Sequence, residues 1–129
     1  MRKVTIFFLF FILFSCGKQT PHPYTFYYWK TNLALNQSEQ DALQKATTPY
    51  LYTRFFDVVK IGGKFQPVAT ITKNISFQTE KEIVPVVFIM NRAFLNIKPN
   101  EISFLVKSVS DLIQKKTEEF NFKPSNEIQ

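Results

Sequence analysis

The chain predicts an α/β fold built on a parallel sheet, and three observations carry that expectation. The runs at 24–29 and 83–90 are apolar on both alternating faces, as in strands covered on both sides, and a strand-like run lies between them at 50–59. A helical pattern lies between the first two runs, and a longer one follows the third. Strand, helix and strand at this spacing make a βαβ unit, whose crossover is right-handed.

Tyr24-Thr25-Phe26-Tyr27-Tyr28-Trp29 opens the sheet. Aromatic runs carry large burial energy, so core packing is the first expectation. The rival reading is a platform on which sugar rings stack. Asn32 to Gln37 is polar and turn-like; Ser38 then reads as an N-cap, with Glu39 and Asp41 at the positive end of the helix dipole. Ala42, Leu43 and Ala46 form an inward stripe, and Pro49 closes the helix.

Tyr50 to Val59 is the second strand, interrupted by Arg54 and Asp57. Three residues apart in a regular strand, these two face opposite sides and are not partners. Asp57 falls near the carboxyl end, where parallel α/β folds place their chemistry. Lys60 to Lys64 reads as a flexible turn around Gly62-Gly63. Phe65 to Ile71 follows as an edge strand, because Pro67 lacks a ladder donor. Thr72 to Glu82 has no helical stripe. Ile83 to Met90 is the most hydrophobic stretch after the N-terminal segment and reads as a buried parallel strand, with Asn91 and Arg92 at its carboxyl end. From Pro99 or Asn100, a long helix sets Ile102, Leu105, Val106, Val109, Leu112, Ile113 and Phe120 on one side. Ser125 to Gln129 is a turn and the opening of a further strand.

The N-terminus carries a different signal. Arg2 and Lys3 precede an apolar run, Val4 to Phe14, that is short against the roughly 17–25 residues that span a bilayer. It reads as the hydrophobic region of a signal peptide. Leu13-Phe14-Ser15-Cys16 resembles the lipobox of bacterial lipoproteins, with Phe14 bulkier than that pattern usually carries. The resemblance implies that residues 1–15 are removed and that Cys16 becomes the acylated first residue. An ordinary secretory signal and an uncleaved anchor are the alternatives. Residues 16–23, with Pro21 and Pro23, then form a lipidated tether, and two or more acyl chains on Cys16 hold stably to a membrane. The tether lacks acidic residues, which favours the periplasmic face of the outer membrane.

Composition narrows the chemistry. Sixteen Lys and Arg stand against ten Asp and Glu, a formal net charge of +6 that the loss of Arg2 and Lys3 reduces. The basic residues are scattered, unlike the concentrated face of a nucleic-acid reader, so no nucleic-acid partner is expected. The excess suits anionic lipid or glycan. The single His, His22, lies in the tether and the single Cys is the lipidation site, so neither a metal site nor another cofactor is implied. Gly62-Gly63 lacks the pattern of a phosphate loop. Asp57 is the one acid embedded in an apolar strand and the candidate catalytic residue; Arg54, Asn91 and Arg92 are the candidate binding residues.

Tyr27-Tyr28-Trp29-Lys30, Leu51 to Val58, Val68-Ala69-Thr70-Ile71 and Glu82 to Ile89 resemble a family of uncharacterised bacterial lipoproteins with a TIM-type (βα)8 barrel. The resemblance implies a partial (βα)8-barrel-like parallel sheet with two helices over residues 24–129. Whole barrels take about 250 residues, so the likeness covers only their N-terminal part. The function this implies is a membrane-anchored lipoprotein whose truncated barrel has no catalysis of its own. The alternative is a carbohydrate-processing or glycan-binding barrel with strands missing from this chain. A glycan or an envelope protein is the partner expected beyond the membrane.

Overall fold

The computed structural model describes residues 24–123 and 125–129. The expected signal peptide, Cys16 and the tether with His22 lie outside the described residues. In chain order the elements are β1 (Phe26–Tyr28), β2 (Asn32–Leu33), α1 (Gln37–Lys45), β3 (Tyr50–Ile61), β4 (Lys64–Val68), β5 (Thr72–Lys73), β6 (Glu82–Ile89), a 3-10 turn (Asn91–Phe94) and α2 (Pro99–Glu119).

β3 is the strand on which the others assemble. One of its edges pairs with β6 in parallel, from Tyr50↔Glu82 to Val58↔Ile89. Its other edge is shared. β1 pairs in parallel beside Leu51 to Thr53, and β4 pairs antiparallel beside Asp57 to Ile61. β2 and β5 form a separate two-stranded parallel ladder. The expectation of a partial (βα)8-barrel-like parallel sheet is therefore corrected: the sheet is mixed. The reason is the turn at Gly62 and Gly63. Both have positive φ, +57° and +79°, as a two-residue type I′ hairpin requires. The strand expected to end at Val59 runs on to Ile61 and reverses directly into β4, occupying the edge that a barrel neighbour would need.

Both helices pack on one face of this sheet. Leu51, Phe55, Phe56 and Val58 of β3 share a core with Ile83 of β6, Leu43 of α1, and Leu105, Ile113 and Phe120 at α2. Phe55 and Phe56 are almost wholly buried. Each contributes about 1.5–3 kcal/mol by burial. The first helix begins one residue before Ser38. Asn36 is the N-cap: its side chain accepts from the Glu39 N–H, and the Glu39 carboxylate accepts from the Asn36 N–H. In α2 the inward stripe is narrower than the sequence implies. Leu105 and Ile113 are buried, whereas Ile102 and Val106 are 44% and 63% exposed. At the edge of β6 away from β3, Gln129 makes a parallel bridge, its N–H donating to the Pro85 carbonyl (3.0 Å) and its carbonyl accepting from the Val87 N–H (2.7 Å).

Candidate functional site

The face of the sheet away from the helices is where the candidate residues meet. Alternation along β3 puts Leu51, Thr53 and Phe55 towards the helices, leaving Tyr50, Tyr52 and Arg54 on the open side. A regular strand would then carry Asp57 inward. It does not, because the register with β6 slips between Arg54↔Val86 and Phe56↔Val87, leaving Phe55 as an extra residue. A bulge of this kind sends two consecutive side chains to one face. Phe55 and Phe56 both go into the core, and Asp57 returns to the side of Arg54. The displaced Phe55 carbonyl is satisfied by the N–H of the buried Ile71, at 2.7 Å.

Arg54 and Asp57 consequently form a bidentate ion pair, against the expectation that they face apart. Arg54 Nε donates to Asp57 Oδ1 at 2.7 Å, and Arg54 Nη2 donates to Asp57 Oδ2. The two side chains retain 20% and 16% exposure. The hydrogen bonds to Asp57 hold the guanidinium pKa above its ordinary value. Asp57 also lies four residues inside β3 and not at the carboxyl end of a strand.

Aromatic rings flank the pair. The run at 24–29 is not covered on both sides: Phe26 and Tyr28 turn towards the core, while Tyr27 and Trp29 are 37% and 56% exposed. Tyr27 stands beside Tyr52 in the β1–β3 register. The Tyr27 and Trp29 rings lie 4.6 Å apart, tilted by 35°. The Arg54 guanidinium sits 5.8 Å from the Trp29 ring centroid, and its Nη1 donates to the Trp29 carbonyl at 3.4 Å. Across β3, Phe88 is paired with Asp57 and is 50% exposed. Burial is the main cause that raises the Tyr27 phenol pKa, opposed by Arg54 and aided by Asp57. Tyr52 donates its hydroxyl to Glu127 at 3.0 Å, which ties the C-terminal segment to the margin of the same face and raises the Tyr52 pKa.

Asn91 and Arg92 occupy the exposed 3-10 turn after β6, and neither side chain joins the Arg54–Asp57 pair. The sequence reading thus placed Arg54 and Asp57 correctly as polar intruders but missed their partnership and the roles of Tyr27, Trp29 and Phe88. The doublet Phe55-Phe56 was the available signal, since two large apolar residues in succession break the alternation of a sheet with one open face. Among the described residues no group of three His, Cys, Asp or Glu side chains converges as metal ligands would, and no helix is long and apolar enough to cross a membrane.

Chemically the site is a shelf: a charge-compensated hydrogen-bonding pair between exposed rings. Enzyme sites are typically concave and exclude water. A shelf instead suits a ligand that lies flat and extends beyond it. In comparisons with known proteins, no family model matches the chain, and no curated protein or solved structure is significantly similar to it.

Proposed function

We propose that the protein is a lipid-anchored, non-catalytic binding domain of the bacterial cell envelope, attached through Cys16 and presenting its open sheet face to glycan. The observation that carries this reading is the exposure of Trp29 and Tyr27 beside the Arg54–Asp57 pair. The apolar face of a pyranose ring packs on an aromatic ring, and its hydroxyls need donors and acceptors at the ring's margin. Both are present within one face. The lipobox-like Leu13-Phe14-Ser15-Cys16 supports the membrane attachment.

A hydrolytic role is less well supported. Glycoside hydrolysis uses a protonated carboxyl and a second carboxylate flanking the bond. Asp57 is held through both oxygens as the ion-pair partner of Arg54. Affinity electrophoresis of the full-length lipoprotein in gels containing soluble polysaccharides tests the reading. Retardation by at least one polysaccharide, lost on Trp29→Ala, is the expected result. Unchanged mobility across a panel of neutral and acidic polysaccharides would discard it.

A further inference from the structure

Building on that binding role, we infer that the Arg54–Asp57 pair makes the open face selective for neutral pyranosides over uronic acids. A guanidinium on a glycan-binding surface is ordinarily a reason to expect an anionic sugar, since its planar fork matches a carboxylate. Here that fork is already filled. Nε and Nη2 point at the two Asp57 oxygens, and Nη1 donates to the Trp29 carbonyl. Of the five N–H groups of an arginine, two remain at the rim. Among the described residues Arg54 is the one side-chain donor to Asp57, so each carboxylate oxygen keeps a lone pair beside those N–H groups. The shelf therefore offers a donor and an acceptor side by side, with no net charge.

Vicinal hydroxyls match this arrangement. Each hydroxyl both donates and accepts, so a diol can take a hydrogen bond from Arg54 while giving one to Asp57. A uronate oxygen only accepts. It finds a guanidinium whose charge is already compensated, and it meets the Asp57 carboxylate at close range, where like charges repel. The flanking rings of Tyr27, Trp29 and Phe88 carry no positive charge.

Trp29 is the only tryptophan in the chain, so its fluorescence reports directly on the shelf. Full-length protein in detergent is titrated with cellohexaose, with hexagalacturonate, and with fully methyl-esterified hexagalacturonate, which differs from the free acid essentially in charge. The expected result is a saturable emission shift with cellohexaose and with the ester, each at an affinity roughly tenfold or more above that of the free acid. Asp57→Asn, which leaves the Arg54 charge uncompensated, should bring the free acid to within about threefold of its ester. Wild-type protein that binds the free acid as tightly as the ester would overturn the selectivity and leave the binding role standing. No shift with any of the three, together with unchanged electrophoretic mobility, would remove both.

Discussion

Arg54 and Asp57 share one face of β3 because Phe55, lying between them, has no partner on β6. The extra residue does two things at once. It doubles the aromatic content of the core at that level, with Phe55 and Phe56 both buried, and it restores Asp57 to the open side, where the guanidinium reaches it. Core packing and surface chemistry are set here by one irregularity.

Removing both members of the pair should therefore cost less than the two single removals added together. Asp57→Ala leaves a mostly covered guanidinium without its carboxylate and should lower the unfolding free energy by about 1–3 kcal/mol. Arg54→Ala combined with Asp57→Ala should fall well short of the sum of the single changes. Urea unfolding of the four proteins gives the coupling directly, and strict additivity would mean that the contact contributes nothing.

The bulge makes the two phenylalanines separately necessary. Phe55→Ala and Phe56→Ala should each cost about 3–5 kcal/mol, a large part of the 5–15 kcal/mol that typically holds a domain together. Gly63→Ala, which forces a side chain into positive φ at the hairpin, should cost roughly 1–2 kcal/mol. Thermal melts followed by far-ultraviolet circular dichroism should place both phenylalanine variants below Gly63→Ala in melting temperature.

Two flanks of α2 should respond differently to substitution. Leu105→Ala and Ile113→Ala empty buried positions and should cost about 2–5 kcal/mol. Val106→Ser acts on an exposed side chain and should stay within about 0.5 kcal/mol. A Val106 effect as large as that of Leu105 would show that this flank is covered in solution.

Acid should loosen the starts of both helices. The Glu39 carboxyl is held below its ordinary pKa by Lys30 and by the Asn36 N–H, and Glu101 by the Lys98 N–H and then Lys60. A carboxyl depressed in the folded state stabilises fully above its unfolded pKa, near 4.5, and that contribution disappears as pH falls through the folded value. The melting temperature should thus drop below about pH 4.5, and less steeply in a protein carrying both Glu39→Gln and Glu101→Gln. Asn36→Ala, which removes the cap itself, should cost about 1 kcal/mol at neutral pH.

Membrane attachment is checked at Cys16. Cys16→Ala should abolish incorporation of labelled palmitate and move the protein from the membrane fraction to the soluble one. Retention in membranes without label would point to the apolar run Val4 to Phe14 as the anchor instead.

Much of the outline was legible along the chain because its signals are short-range. The apolar runs located β1, β3 and β6, Gly62-Gly63 marked a turn, Pro67 marked an edge, and the spacing of Leu105, Val109, Leu112 and Ile113 marked α2. Each depends on residues within a turn or two of one another. Tertiary pairing decided the rest: that β4 folds back antiparallel on β3, that both helices take the same side, and that Tyr27, Trp29, Arg54, Asp57 and Phe88 gather on the other. Which face a strand residue occupies depends on counting pairs against a neighbour, and the neighbour of Arg54 is Val86, far along the chain. One unpaired residue inverts that count for everything after it. No local pattern at Asp57 records the inversion, so its partnership with Arg54 exists only once β6 is in place.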